Sequence, residues 1–296
     1  MRKLIPCLIL SFALPVSAAD FLSSTHFFPV ASRTDGLAGT QWTTSLEIFN
    51  PHQRPLTITV HLSAAGGFSS EIVEVPAGET RRWADVMGEL FGALGNGALL
   101  VEAEADRNDQ LAPECRAFGA AMRISTAGHD GGSYGQTVAS LDPSTGFLGD
   151  WTGYLPGVAL WGDPGIDGFR TNVGIWNIGP DEARLRLRIL DPSGQQVWQT
   201  TLTAARHEPE VIALPRGLEL ETGTLVVDGL GEWLDCAVFI SIVDNVTGDA
   251  TFRTPQLADP DQLGGCDPAS AAPPDGRRDR LAADERVRAL FVGGPR

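Results

Sequence analysis

The sequence predicts an all-β fold, in which two tandem antiparallel β-sandwich modules are related by internal duplication and followed by a disordered C-terminal tail. Residues 41–50 (QWTTSLEIFN) return as residues 168–177 (GFRTNVGIWN). Short alternating segments recur between turn-forming residues, and little chain is left for crossover helices. A repeated unit of about a hundred residues is long enough to bury its own core.

Period-two alternation is clearest in residues 56–62 (LTITVHL), 71–75 and 185–190. Each segment is bounded by turn formers, so each predicts a strand with one buried face and one wet face. Residues 191–194 (DPSG) have the chemistry of a tight turn, which predicts a hairpin from 185–190 to 196–202. Short strands of this kind favour an immunoglobulin-like (Ig-like) sandwich.

One segment has helical spacing. Residues 83–91 place apolar side chains on one face, which predicts a short helix that caps the first sandwich. The second unit has residues 214–218 (LPRGL) at the matching place, where proline and glycine allow no more than a turn.

Residues 1–19 have the features of a secretory signal peptide. Arg2 and Lys3 precede an apolar run, residues 4–16, and a small-residue cleavage site follows. The run is shorter than the roughly 20 residues of a membrane span, and charged residues or glycine break every later run. The mature chain is therefore expected to be exported (periplasmic, cell-surface or extracellular) and not membrane-embedded.

The register of the repeat sets the module boundaries. The first β-sandwich module is expected at residues 20–146 and the second at residues 147–259, joined by the turn formers of residues 140–146 (SLDPSTG). Beyond them the strand pattern is lost to Asp, Pro, Ala, Gly and Arg. Residues 260–296 are therefore predicted to be disordered.

The charge excludes some partners. The formal net charge is -15, so a nucleic-acid backbone or an anionic membrane surface would be repelled. Lys3 is the only lysine, so its removal with the signal peptide excludes lysine Schiff-base chemistry. The remaining partner classes are a protein or a glycan at the cell surface.

Three cysteines remain after removal of the signal peptide. Cys115 and Cys236 fall at matching places in the repeat, which fits a shared position on a buried strand as well as it fits a disulfide. Cys266 lies in the tail and could reach several places. The connectivity stays open.

Each module opens with an aromatic-Pro or Leu-Pro pair, at residues 28–29 and 155–156. A strand of the pattern aromatic-x-Thr-x-apolar-x-Ile-aromatic-Asn follows, and the second module closes on residues 243–249 (VDNVTGD). This order resembles the tandem β-sandwich repeats of exported bacterial proteins, which mostly lack an assigned activity. The resemblance implies architecture and location, and it carries no catalytic residue to this chain.

A nucleophile pattern, G-x-S-x-G, occurs at residues 131–135 with Ser133 at its centre. The pattern has catalytic meaning when a strand-to-helix turn exposes the serine above a parallel sheet. Here it lies between two predicted strands, and His129 and Asp130 belong to the same loop. A glycine-rich hairpin loop is the favoured interpretation.

A cluster of hard oxygen ligands, Asp244, Asn245 and Asp249, lies on one turn, with Asp163 and Asp167 in a second acidic loop. Converging loops of this kind could hold Ca²⁺. Asp and Asn also populate turns because their side chains bond the local backbone. Calcium is the one cofactor that the sequence suggests.

Aromatic residues are dense in the second module. Trp151, Tyr154 and Trp161 are the predicted ligand-binding residues, since large exposed aromatics mark binding surfaces, and Trp161 lies in a loop (LWGDPG). Trp176 takes the place of Phe49 and is expected to point into the core or into a module interface.

The sequence thus predicts an exported, non-enzymatic protein that acts as a surface, periplasmic or matrix binding or scaffolding element. The alternatives are a carbohydrate-binding module that uses exposed aromatics and, last, a serine hydrolase at Ser133. A pair of catalytic carboxylates brought together by folding would leave no spacing to detect.

Overall fold

The structure, a computed structural model, describes residues 22–36, 40–65, 67–104, 113–128, 131–141, 152–163, 166–179, 181–207, 209–230 and 235–258. The predicted signal peptide, the boundary between the modules and the predicted disordered tail lie outside these residues. Antiparallel strand pairs dominate the described part of the chain, so the prediction of an all-β sandwich fold is confirmed.

In the described residues, the first sandwich contains eight strands and one α-helix. In chain order they are β1 (Thr25–Asp35), β2 (Gln41–Phe49), β3 (Leu56–Ala64), β4 (Gly67–Val75), β5 (Thr80–Trp83), α1 (Val86–Phe91), β6 (Gly95–Ala103), β7 (Gly119–Ala127) and β8 (Ser133–Val138). One layer has the order β4-β3-β6-β1 and the other the order β5-β2-β7-β8. Strand β1 joins them, because its residues 34 and 35 pair with β2 while its earlier part pairs with β6.

The second sandwich has nine strands in the part of the chain that the structure describes. They are β9 (Thr152–Leu160), β10 (Phe169–Asn177), β11 (Ala183–Leu190), β12 (Gln196–Ala204), β13 (Pro209–Ala213), β14 (Leu220–Gly229), β15 (Cys236–Asp244), β16 (Ala250–Arg253) and β17 (Gln256–Ala258). One layer has the order β12-β11-β14-β9-β17 and the other β13-β10-β15-β16. Strands β9 to β16 therefore repeat the pairing order of β1 to β8.

Alternation places the core between the layers. Strand β11 buries every second residue, and it pairs with β12 as the predicted hairpin, with Leu185 opposite Leu202. The hairpin turn closes through the Gly194 amide, which donates to the Asp191 carbonyl at 3.0 Å. Each sandwich has a cluster of buried apolar side chains, and the cluster of the first sandwich also includes Phe239 of β15.

Two buried threonines perform the same task in the two sandwiches. The Thr44 hydroxyl accepts from the Ser32 amide at 2.7 Å and donates to the Ser32 carbonyl at 2.8 Å. The Thr171 hydroxyl makes the same two bonds with Ala159, at 3.1 and 2.8 Å. Each hydroxyl bonds a buried backbone amide and carbonyl that would otherwise lack a hydrogen-bond partner away from water. The shared Thr of the repeat is therefore a structural residue.

Two buried asparagines are equally matched. Asn50 Nδ2 donates to the carbonyls of Arg54 and Val75, at 2.7 and 3.0 Å. Asn177 Nδ2 donates to the carbonyls of Asp181 and Ala204, at 2.7 and 3.1 Å. Each side chain fixes the turn that follows its own strand to the end of a neighbouring strand.

Helix α1 confirms the predicted helix, with a later start. Trp83 ends strand β5, and the helix begins at Val86 because Asp85 is its N-cap and accepts from the Gly88 amide at 3.1 Å. Gly92 ends the helix in the left-handed conformation, with φ 62°. The matching residues 214–218 of the second sandwich contain no helix.

The two sandwiches pack against each other through a third apolar cluster. Phe27, Ala98, Leu100 and Leu141 of the first sandwich meet a fully buried Trp176 of the second, with Ile178 and Ala237 beside it. The expectation that Trp176 points into the core or a module interface is confirmed. Polar bonds flank the cluster: Ser241 Oγ bonds Gln136 Oε1 at 2.8 Å, and the Ser63 hydroxyl donates to the His207 carbonyl at 3.2 Å.

The proposed equivalence of Cys115 and Cys236 is wrong. Cys115 lies in a 3-10 helix (Pro113–Arg116), whereas Cys236 begins strand β15 opposite Asn177. In the first sandwich Phe49 pairs with Gly119, so Phe118 is the residue that matches Cys236. The two thiols are free and do not bond each other, and Cys266 lies outside the described residues.

Candidate functional site

An open groove of about 500 Å³ lies at one end of the second sandwich. Strands β9, β10, β14, β15 and β16 all contribute to it, so its walls come from both layers. Its lining comprises Gly157, Ala159, Trp161, Phe169, Glu221, Ile242, Thr251 and Arg253. The volume falls within the range of small-molecule sites, and the lining combines apolar surface with a few polar groups.

The aromatic wall of the groove consists of Trp161 and Phe169. Their backbones bond in both directions, at 3.1 and 2.9 Å, and their ring centroids are 6.0 Å apart. Gly168, with φ 71°, follows the intervening loop, and a Cβ there would lie 2.1 Å from the Trp161 carbonyl oxygen. Only glycine fits such a position, so the backbone fixes the half-buried indole against Phe169.

The loop before Gly168 is itself closed. The Asp163 amide donates to Asp167 Oδ1 at 3.0 Å, and the Asp167 amide donates to the Asp163 carbonyl at 3.1 Å. The two aspartates that suggested a second acidic calcium loop therefore bond each other's backbone across this turn. They shape the loop that follows Trp161.

Charged and polar groups complete the groove. Glu221 at the start of β14 and Thr251 and Arg253 on β16 are exposed. A Cβ added to Gly157 would lie 3.1 Å from Arg253 Cζ, so the missing side chain leaves space for the guanidinium. The groove therefore offers an acceptor, a hydroxyl and a cation beside an aromatic surface.

A smaller cavity of about 20 Å³ shares Trp161 and Phe169 with the groove. Arg170, Arg216 and Asn245 line it. Arg170 donates to Asn245 Oδ1 at 3.0 Å, and Asn245 Nδ2 donates to the Asp167 carbonyl at 3.0 Å. Asn245 therefore ties an arginine of the site to the Trp161 loop.

The surroundings of this cavity disfavour the charged form of Arg170. Burial lowers the pKa of Arg170, and the nearby charge of Arg216 lowers it further, while Asp244 acts in the opposite direction. Two guanidinium groups thus share one side of the aromatic pair.

The predicted ligand-binding residues do not all meet. Trp161 lines the groove. Tyr154 lies on β9 between Val226 and Gln256, and it is absent from the lining of the groove. Trp151 lies outside the described residues.

The predicted calcium ligands have other partners. Asp244 Oδ1 accepts from the amides of Val246 and Thr247, at 2.7 and 2.9 Å, and Asp249 Oδ1 accepts from the Gly135 amide of the first sandwich at 3.1 Å. Within the described ranges, no group of three or more His, Cys, Asp or Glu side chains could hold a metal ion. The Ca²⁺ site stays a prediction.

Ser133 begins strand β8 on an exposed hairpin, and its carbonyl accepts from Arg123 Nη2 at 3.3 Å. No strand-to-helix turn surrounds it, since the preceding element is β7. The histidines of the described ranges bond groups other than Ser133, and His129 lies outside those ranges. The bonds are from His26 to Ser140 and Phe118, from His52 to Ala117, from His61 to Ser70 and Glu102, and from His207 to Arg206. No observation on the described residues supports a hydrolase at Ser133.

Three polar side chains of the first sandwich are hydrogen-bonded along one layer, across β4, β3 and β6, and no sequence pattern predicted this contact. His61 Nδ1 bonds Ser70 Oγ at 2.7 Å, and His61 Nε2 bonds Glu102 Oε1 at 3.1 Å. His61 and Glu102 are both buried, on neighbouring strands β3 and β6. Such pairing satisfies polar groups that would be costly to bury alone.

The groove residues Phe169, Glu221, Thr251 and Arg253 were also missed. Phe169 was visible only as part of the repeated strand. Glu221 is 60 positions beyond Trp161 and Arg253 is further still, so no local spacing connects them. Their assembly depends on the strand order alone.

Comparisons with known proteins identify no family. No family model matches the chain, and none of the curated proteins matches it. Among solved structures, a Thermotoga maritima protein described as 1070 is 14% identical, with 37% of this chain and 92% of that chain covered and a TM-score of 0.29.

Two further structural neighbours are larger or more distant. A calcium-binding mutant of Bacteroides uniformis beta-glucuronidase 2 is 11% identical, covers 81% of this chain and 27% of its own, and has a TM-score of 0.18. The apo form of Pleurotus ostreatus lectin is 10% identical, with coverages of 81% and 76% and a TM-score of 0.17. At such TM-scores these likenesses carry no argument about function.

The one α-helix of the described ranges has six residues. No helix in those ranges is long and apolar enough to cross a membrane.

Proposed function

We propose that this chain is an exported, non-enzymatic binding protein that holds a glycan in the groove beside Trp161. The observation that carries the proposal is the fixed position of Trp161 on an open groove, with Phe169 behind it. A rigid aromatic ring in a concave site offers a face for a sugar ring at little loss of side-chain freedom.

The polar lining supports a sugar over a purely apolar ligand. Glu221 accepts hydroxyl protons, Thr251 donates and accepts, and Arg253 donates. A sugar presents hydroxyl groups around its edge and C–H groups on its face, so a single aromatic wall with polar groups on either side matches it.

A scaffolding role has one supporting observation of its own. The apolar cluster around Trp176 packs the two sandwiches together, so the second sandwich can present a binding surface while the first supports it. Scaffolding and glycan binding are compatible, and the groove belongs to the second sandwich alone.

Export is the third component, and it rests on the sequence of residues 1–19. N-terminal sequencing of the protein recovered from outside the cytoplasm is expected to begin at Ala19 or Asp20. A chain that keeps Met1 and stays in the cytoplasm would contradict export.

A glycan array probed with the mature protein tests the binding function, with calorimetry on any ligand found. We expect Trp161→Ala to weaken binding about tenfold or more, because it removes the stacking surface. Phe49→Ala is the matched control, since Phe49 is an exposed aromatic of the first sandwich. Absence of any glycan ligand, or equal affinity of Trp161→Ala and the native protein, would refute the proposal.

A further inference from the structure

Three arginines surround the Trp161–Phe169 pair. Arg253 lines the larger groove, and Arg170 and Arg216 line the smaller cavity on the other side of the same rings. They come from β16, β10 and the segment after β13, so the strand order alone brings them together.

These guanidinium groups take part in none of the ion pairs that the described residues form. Elsewhere Arg33 pairs with Asp85, Arg82 with Glu47, and Arg186 and Arg188 with Asp228. Arg170, Arg216 and Arg253 form no ion pair within 4.0 Å in the described ranges. Arg170 bonds a neutral amide instead.

Even the acidic groups at the site leave the cations available. Glu221 shares the groove with Arg253, yet the two form no ion pair, so both remain free to bind a ligand from opposite positions. Asp244 lies near Arg170 but uses Oδ1 to accept from two amides of its own turn.

We propose that the ligand of this site is an acidic glycan, whose carboxylate groups bind Arg253 on one side of the aromatic pair and Arg170 and Arg216 on the other. This inference rests on the proposed glycan-binding function and names its ligand class. Guanidinium groups match a carboxylate with two parallel N–H donors, and an anion would relieve the repulsion between neighbouring cations.

The net charge of -15 limits the form of the ligand. A long polyanion would meet repulsion from the rest of the surface, whereas a short uronic-acid oligosaccharide would contact only the site. At physiological ionic strength the Debye length is about 8 Å, so distant carboxylates of the protein are largely screened from such a ligand. The groove volume of about 500 Å³ also suits a short segment.

The test compares short oligosaccharides of galacturonate, alginate and hyaluronate with their methyl-esterified forms, using calorimetry on the mature protein. Each pair has the same sugar backbone and differs in the negative charge, which the ester replaces with a neutral methyl ester. We expect at least one acid form to bind about tenfold or more tightly than its ester. Arg216→Gln and Arg253→Gln should each remove most of this preference for the acid form.

Arg54→Gln is the control, because Arg54 is an exposed arginine of the first sandwich. Equal binding of acids and esters, with loss of both in Trp161→Ala, would overturn the acidic-ligand inference and leave glycan binding intact. Binding of neutral glycans alone would also overturn the acidic-ligand inference and leave glycan binding intact. Preference for dextran sulfate with equal weakening by Arg54→Gln would show unspecific charge attraction and overturn it. No binding to any glycan would refute both proposals.

Discussion

The indole of Trp176 stacks on the phenyl ring of Phe27 across the boundary between the two sandwiches. The ring centroids are 5.0 Å apart and the rings are inclined by 22°. Trp176 is fully buried, whereas Phe49, which holds the same place in the first sandwich, is 43% exposed. One position of the repeat is thus a surface residue in one copy and the centre of the contact between copies in the other.

Replacing Trp176 by alanine should therefore lower the free energy of unfolding far more than replacing Phe49 by alanine. We expect Trp176→Ala to lower the free energy of unfolding by about 3–5 kcal/mol, because it opens a cavity in a buried cluster. Phe49→Ala should lower it by less than about 1 kcal/mol. Urea unfolding followed by tryptophan fluorescence measures both.

The same experiment reports on coupling between the sandwiches. The native protein should unfold in one transition, and Trp176→Ala should separate it into two as the contact is lost. If Trp176→Ala and Phe49→Ala lowered the free energy of unfolding equally, the burial of Trp176 between the sandwiches would add no stability.

The paired asparagines make a second prediction. In Asn50→Ala and in Asn177→Ala, buried carbonyl groups lose the hydrogen bonds that the side-chain amide donates in the native protein. Each substitution should therefore lower the free energy of unfolding by about 1–3 kcal/mol. The residues share no partner, so the double variant should lose the sum of the two values. Denaturant unfolding measures all three variants, with the exposed Asn96→Ala as a neutral control. A double variant no worse than either single one would show that the two turns are coupled.

Local pattern predicted the scaffold well because strands and turns are local. The alternation of residues 185–190, the DPSG turn and the repeat that contains Thr44 and Thr171 all have counterparts in the structure. The matched cysteines failed because Cys115 lies in a 3-10 helix before β7, whereas Phe118 is the residue that matches Cys236. A register taken from one shared residue type cannot detect such an offset.

The site was predictable only in part. Trp161 could be found because it is a large aromatic in a Gly- and Pro-containing loop, although the structure packs it half-buried against the core of the second sandwich. Its neighbours Glu221 and Arg253 lie on β14 and β16, and their proximity follows from strand order, which alternation does not determine. Tyr154 is close to Trp161 in sequence but lies elsewhere on β9.

The turn at Asp244 gives a third prediction, which separates a calcium ligand from a turn residue. Asp244→Ala removes the oxygen that accepts from the Val246 and Thr247 amides. It should lower the free energy of unfolding by about 1 kcal/mol. Asp244→Asn retains that oxygen and should cost less. Thermal unfolding in Ca²⁺ and in EDTA should give the same losses. A native protein that is stabilised by Ca²⁺, with no such effect in Asp244→Ala, would establish the calcium site instead.

The thiol of Cys236 gives a prediction for alkaline pH. Burial, and to a lesser degree the charge of Asp235, raises the pKa of this thiol from its ordinary value of 9.0 to about 12. Below pH 9 the thiol is protonated in both the folded and the unfolded chain, so its contribution to stability is complete. Between pH 9 and 12 the unfolded chain releases the proton and the folded chain keeps it, so stability is lost as the pH rises.

Comparison with Cys236→Ala isolates this effect, because the variant lacks the thiol in both states. The difference in unfolding free energy between the native protein and Cys236→Ala should stay constant up to about pH 9. It should then fall by as much as about 1.4 kcal/mol per pH unit. Urea titrations of both proteins at intervals from neutral pH to about pH 10.5 measure it. A difference that stays constant across this range would mean that Cys236 ionises as readily in the folded chain as in the unfolded one, and that β15 does not seal its first residue from water.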